Sequence, residues 1–376
     1  MNAKFDDIRP YVDAEIPAAM KRIAENELFP AIAKFAYPNQ DVDDVRKVIT
    51  GYTCIHDFQA GAMSAFNTQV MAQTIEKFTY SGIEHLDFAK NYLFVSNHRD
   101  IVMDSMLLQY ALYTEGFRTT EVTFGSNLMS SQLIIDIGRS NKMFKVMRGE
   151  NPRDFYKTSL HLSEYIRHAV TQRNESIWIA QRNGRTKDGN DATDQGILKM
   201  FCMSGSKDAA HSLNELNIVP VAISYQWETC DFFKTRELYL SRNAKYVKEK
   251  NEDFTSVMTG IMQPKGNVHI SICEPLQQEE LQKFANEKQS NDFYKNAANL
   301  IDRRIYSSYK LCDTNYIAHD IRSATDTYAA HYTPESREQF LQHYKQVLGK
   351  FDTDKEIVSR IFLGIYANPV DNALLS

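Results

Sequence analysis

Between residues 79 and 276 short apolar runs alternate with helix-like stretches, and this alternation constrains the fold more than any other feature of the chain. The runs are "NYLFVSNH", "EVTFGSN", "KMFKVMRG", "ESIWIAQRNG", "NIVPVAISYQW" and "NVHISICEPL". Most are strand-length, and most stop at a polar or glycine-containing loop. Strands alternating with helices predict an α/β layer structure. Residues 1–78 have a helical rhythm instead, with Ile16, Met20, Ile23, Ile32 and Phe35 spaced among charges. After "CEPL" the chain returns to helix, beginning with a long amphipathic stretch at 281–311. In the tail Thr333 is an N-cap candidate, Pro334 takes the first helical position and Gly349 is a natural stop. The stripe Phe340, Leu341, Tyr344, Val347 and Leu348 predicts core packing. The expected organisation is an N-terminal helical segment (1–78), an α/β core (79–310) and a C-terminal helical segment (311–376). Pro220 lies within an apolar run, so that run is expected to be an edge strand or to begin near the proline.

Composition removes several classes of function. A hydrophobic fraction of 43% supports a substantial core, and a net charge of -5 disfavours a general nucleic-acid partner. The cysteines (Cys54, Cys202, Cys230, Cys273, Cys312) are scattered and form no CxxC. They read as reduced thiols of a cytoplasmic protein, with no metal site. The acidic start "MNAKFDDIRPYVDAEIPAAM" has no apolar h-region, so no signal peptide is expected. No apolar run approaches the ~20 residues that span a bilayer. Such a chain can sit on a membrane without crossing it.

Four strand ends collect polar residues. In "YLFVSNHRDIVMDS" an expected strand delivers His98 to a loop, and Asp104 opens the next helix. A histidine oriented by a carboxylate is the minimum apparatus of general-base chemistry. One such pair alone is weak evidence, because a solvated loop histidine is the commoner case. The stretch 139–148 carries Arg139, Lys142, Lys145 and Arg148. Strand alternation puts Lys145 and Met147 on one face, and Phe144, Val146 and Arg148 on the other. Taken alone, it is an ordinary basic edge. In "WIAQRNGRTKDGND", Arg182, Arg185 and Lys187 surround Gly184, where backbone amides and guanidinium groups suit an anion. The following "DGNDATD" fails the spacing of a calcium loop. The fourth end, "NIVPVAISYQWETCD", places Tyr225 and Trp227 at alternating positions, which suits core packing or ligand contact.

Taken in order, these segments resemble the glycerol-3-phosphate and 1-acylglycerol-3-phosphate acyltransferase superfamily of bacteria. Its NH-x4-D block is matched approximately by Asn97, His98 and Asp104, with one extra residue before the aspartate. Gly125, Asn127, Phe144 and Arg148 echo the second block. Asn183, Gly184 and Arg185 echo the third, whose glutamate is absent here, and "IVPVAISY" matches the fourth. The resemblance covers about residues 80–235. It implies a mixed central sheet flanked by helices, with helical additions at both ends.

The resemblance also implies a reaction: a fatty acyl group passes from acyl-coenzyme A or acyl carrier protein, as co-substrate, to a hydroxyl of a glycerophosphate in phospholipid synthesis, with no cofactor. His98 is the implied base and Asp104 its partner, although Asp100 is an alternative on spacing. Asn97, Arg99, Asn127, Lys145, Arg148, Gly184 and Arg185 are the implied substrate contacts. "NLMSSQLIIDIG" is a candidate acyl-tunnel wall, a bilayer contact or simply a buried helix. Peripheral attachment to the inner face of the cytoplasmic membrane fits the same family. Two rival expectations are a different lipid or amino-lipid acceptor, and a non-catalytic lipid or acyl-carrier binding protein.

Overall fold

The computed structural model describes residues 3–147, 151–285 and 290–375. Among them lies a seven-stranded mixed sheet of order β1-β7-β6-β2-β5-β3-β4. The strands are β1 (Ile75–Ser81), β2 (Leu93–Ser96), β3 (Glu121–Gly125), β4 (Met143–Val146), β5 (Ile177–Ala180), β6 (Ile218–Tyr225) and β7 (Gly266–Ile272). Neighbours are parallel except β6 and β7. The central strands read as nearly continuous apolar runs because helices cover both faces of the sheet. β2 is buried along its whole length.

One face packs Leu93, Val95, Ile177, Ile179 and Ile218 against helices Pro152–Thr171 and Ser290–Ser307. The other packs Phe94, Trp178, Val219, Val221 and Tyr225 against helix Met103–Thr114. The N-terminal helices form a separate apolar cluster, which takes Leu133 and Ile137 of helix Gln132–Ser140. Within "NLMSSQLIIDIG", the helix that starts at Gln132 turns Leu133 and Asp136 inward, with Asp136 paired to Arg22 and Tyr11. The C-terminal helices Asp313–Ser323, Pro334–Gly349 and Lys355–Ala373 form another cluster around Phe340, Phe362 and Tyr366. Thr333 caps the second of these through Ser336 N–H, and that helix ends at Gly349.

Two local expectations change. β1 begins at Ile75, where the sequence rhythm predicted helix to about 78; its pairing with β7, far along the chain, overrides local preference. The proline strand β6 is internal, not an edge. Pro220 is tolerated because it lies where pairing with β7 runs out: its carbonyl accepts Cys273 N–H at 3.0 Å, and the recorded ladder starts at Val221↔Ile272. All five cysteines are free thiols. Among the described residues no helix is long and apolar enough to cross a membrane.

The topology gathers the motif loops. β2, β3, β4, β5 and β6 run the same way, so the loops after them leave one edge of the sheet. From β2 the chain builds β3, β4 and β5 on one side, then crosses to build β6 on the other. Such reversals open a crevice at the carboxyl ends of strands. His98 follows the carboxyl end of β2, at this reversal.

Candidate active site

His98 Nδ1 lies 2.8 Å from Asp104 Oδ2, with the His98 side chain 13% exposed and that of Asp104 wholly buried. Asp104 is held by more than the imidazole. Its Oδ2 also accepts Arg99 N–H at 2.7 Å and Asp100 N–H at 3.0 Å, and its Oδ1 accepts the Tyr225 hydroxyl at 2.7 Å. A carboxylate oxygen only accepts, so Nδ1 carries the proton and the lone pair of His98 resides on Nε2. Nε2 has no hydrogen-bond partner among the described residues. Trp178 closes one side of the ring edge-on, at 5.6 Å and 72°, and is itself fixed by a 3.0 Å bond to Ser96 Oγ. Burial, then the Asp104 carboxylate, pushes Tyr225 well above the ordinary tyrosine range, which keeps it a donor.

The extra residue between His98 and Asp104 is absorbed before the helix begins. Asp100 Oδ1 accepts the N–H groups of Val102 and Met103, both at 2.9 Å, and so fixes the turn that leads into the helix starting at Met103. Asp104 therefore faces the imidazole from the first turn, and Asp100 is not the histidine's partner. Asp100 Oδ2 is buried without a hydrogen bond.

Asn97 and Arg99 do not project toward a ligand, contrary to the sequence expectation. Both are buried. Asn97 bridges β2 to β6: its Nδ2 donates to Ile223 O at 2.9 Å, and its Oδ1 accepts Ile223 N–H at 2.7 Å. Arg99 donates to Asp191 Oδ2 at 2.5 Å and to Glu228, which also takes Lys234 at 2.8 Å. Burial works against the Arg99 charge, yet Asp191 and Glu228 raise its pKa above the ordinary value. Asp191 is lowered in turn by Arg99 against its own desolvation, so both partners are charged. Asp191 Oδ2 further accepts Asn97 Nδ2 at 3.0 Å and the Tyr309 hydroxyl at 2.6 Å. The acidic run dismissed as a calcium loop thus supplies the hub beneath the histidine loop. Asp191 and Glu228 escaped the sequence reading, and Tyr225 was expected only to pack in the core or touch a ligand, because their partners are remote in the chain; the one local signal for Asp191 was an acid-rich run just after a strand.

The loop after β5 lies alongside. Gln181 N–H donates to Ser96 O at 2.8 Å and Thr186 N–H to His98 O at 2.7 Å, which sets Arg185 beside the histidine loop. Gly184 has a φ of 77°, the left-handed conformation this turn requires. Arg185 Nη1 is buried with no hydrogen-bond partner, and so are Gln181 Nε2 and Thr186 Oγ1. Lys187 instead pairs with Glu237.

The remaining expected contacts scatter. Asn127 donates to Asp253 Oδ2 at 2.8 Å. Desolvation pushes Asp253 up, but Lys248, Asn127 and the Arg185 charge hold it below the usual carboxylate range. Lys145 is half-buried on the edge strand β4, opposite Phe124. Three strand spacings separate β4 from β2, roughly 14 Å, so Lys145 does not reach His98. Arg148 lies outside the described residues. Among the described residues, no group of three or more His, Cys, Asp or Glu side chains is arranged to share a metal ion. A cavity of about 580 Å³ beside Tyr332, Arg337 and Lys345 lies in the C-terminal helices, away from this chemistry.

Comparison with known proteins bears on the same segment. Residues 77–224 match the acyltransferase family model. Among solved structures, the chain is similar to the 1-acyl-sn-glycerophosphate (LPA) acyltransferase PlsC from Thermotoga maritima. The identity is 12% and the TM-score 0.36, covering 77% of this chain and 93% of that one. No curated protein sequence matches. The matched segment runs from within β1 to within β6 and contains His98, Asp104 and Arg185, so the part of the chain that carries the candidate site is similar to the acyltransferase family.

Proposed function

We propose that this protein moves a fatty acyl group from a thioester, acyl-coenzyme A or acyl carrier protein, to a hydroxyl of glycerol-3-phosphate or 1-acylglycerol-3-phosphate. The observation that carries the reading is the 2.8 Å bond from His98 Nδ1 to buried Asp104, which leaves Nε2 as the basic atom at a strand end. Nε2 takes the proton of the acceptor hydroxyl as its oxygen attacks the thioester carbonyl carbon. The tetrahedral intermediate then collapses, the carbon–sulfur bond breaks, and the departing thiolate takes the proton back from the imidazolium. Asp104 stabilises that imidazolium and fixes the ring. Arg185, with its buried unpaired Nη1, is assigned to the acceptor phosphate, which places the hydroxyl near His98. Lys145 and Arg148 are secondary candidates for the far end of the acceptor. Asn97 and Arg99 are assigned to holding the loop.

The same reading includes contact with a lipid surface. Helix Glu252–Met262 buries Ser256 and Gly260 and exposes Phe254, Met258 and Met262 on its outer side. The segment before it carries Arg242, Lys245, Lys248 and Lys250. An apolar stripe beside basic residues suits an interfacial helix.

Mass spectrometry of acyl transfer tests the reading. Acyl-coenzyme A and acyl carrier protein are supplied in turn, with glycerol-3-phosphate, lysophosphatidate and a phosphate-free lyso-lipid as parallel acceptors. Product from a phosphorylated acceptor is expected. Product from the phosphate-free acceptor alone would keep the chemistry and remove the phosphate clamp. Lipid binding without product from any pairing would favour a binding protein.

A further inference from the structure

The Arg185 loop and the loop after β6, whose Glu228 supports Arg99, are both held by one element outside the family-matched segment. Helix Lys355–Ala373 contains Pro369, which has no N–H. The carbonyl of Ile365, four residues earlier, therefore lacks its helical partner. This carbonyl faces Gly189 in the loop that carries Arg185: a Cβ on Gly189 would sit 2.3 Å from Ile365 O, and its φ is +77°. On the next turn Asn368 Nδ2 donates to Asp188 O at 2.7 Å. The Asn368 carboxamide is oriented by Arg322 Nη1, which donates to its Oδ1 at 2.7 Å.

Tyr366 reaches the loop after β6. Its buried hydroxyl accepts Glu228 N–H at 3.2 Å and donates to Asp231 Oδ2 at 2.8 Å. Glu228 is one of the two carboxylates that bind Arg99, and Arg99 is the neighbour of His98. The helix is fixed by its own core, where Phe362, Leu363 and Ile365 pack with Ile317, Phe340 and Val347. This helix sends one polar side chain to the backbone of the Arg185 loop and one to the backbone of the loop after β6, whose Glu228 side chain binds Arg99.

We propose that helix Lys355–Ala373 is a positioning element of the active site, in which Asn368 sets the Arg185 loop and Tyr366 sets the Glu228–Arg99 support beneath His98. Neither side chain touches substrate. The kinetic consequences rest on the acyl-transfer reading; the structural consequence does not.

The test compares full-length Asn368→Ala and Tyr366→Phe. Tyr344→Phe serves as a control, since it loses only the 2.6 Å bond to Ser359 within the C-terminal helices. Asn368→Ala should raise KM for a phosphorylated acceptor roughly 3- to 10-fold with kcat unchanged, the factor one neutral hydrogen bond supplies. Tyr366→Phe should lower kcat by a similar factor, about 3- to 10-fold, with KM unchanged. Tyr344→Phe should lower Tm and move neither constant. Hydrogen exchange gives the second readout. Asn368→Ala should speed exchange at residues 183–190 and Tyr366→Phe at residues 99–104, each without the other. Loss of Tm with no local change in exchange, or the same kinetic constant moving in both variants, overturns the proposal. If the wild type transfers no acyl group, the function reading fails, and the exchange pattern alone decides the role of this helix.

Discussion

Two neighbouring loops at the same sheet edge are built on opposite principles. In the loop at 97–104 nearly every buried polar group has a partner: Asp104 accepts four hydrogen bonds, Asn97 bridges two strands and Arg99 is paired with two carboxylates. In the loop at 181–186, Gln181, Arg185 and Thr186 each keep a buried polar atom unpaired. A base must hold one orientation through the proton transfer, so its surroundings are saturated. A binding group needs capacity left for its ligand, because a donor already bonded within the protein gains little from a second partner. Under the proposed function, the first loop holds the base and the second keeps capacity for the acceptor.

The largest expected effect breaks the saturated side. Asp104→Asn can present an amide N–H to the imidazole, which favours the tautomer with its proton on Nε2. kcat should fall roughly 10²- to 10³-fold with KM little changed, measured by steady-state transfer. A loss below tenfold would remove Asp104 from its role. Next, Arg185→Ala tests the open side. KM for lysophosphatidate should rise about 10- to 100-fold, the worth of a charge-assisted contact, while a phosphate-free acceptor is unaffected. Equal KM for both proteins would place the phosphate elsewhere. A smaller effect is expected at Tyr225→Phe, which removes one of four bonds to Asp104; kcat should drop roughly 3- to 10-fold at constant KM.

The smallest effect concerns stability around the loop's one unpaired oxygen, Asp100 Oδ2. Burial lowers buried Lys265 to about 8 from 10.5, although the Asp100 charge pulls the other way. Its folded pKa lies below its unfolded value, so between those two values the unfolded chain binds more protons and stability rises with pH. The wild-type Tm, taken relative to Lys265→Met, should therefore climb as pH increases from about 8 toward 10.5. A flat difference would show that Lys265 does not titrate in that window.

Much of the sheet was legible because parallel strands buried on both faces announce themselves as apolar runs. All six of the expected runs contain strands. β1 was not legible: "IEKFTYS" carries two charges and pairs only with residues 266–271, beyond the reach of local pattern. At the site, His98, Asp104 and Arg185 stood out as polar residues at strand ends. Asp191 and Glu228 did not, because their roles depend on Arg99, 92 and 129 residues away. Arg99 misled for the same reason. Residue type says that an arginine binds carboxylates or phosphates; only the fold says that this one is buried against two carboxylates of its own chain.

The most direct test of the account is His98→Ala assayed by mass spectrometry for acyl transfer to a phosphorylated glycerol acceptor, with folding checked by Tm. Loss of product by roughly 10³-fold or more, in a folded protein that still binds acceptor, is the predicted result. Transfer at a rate near that of the wild type would contradict the assignment of His98 as the base.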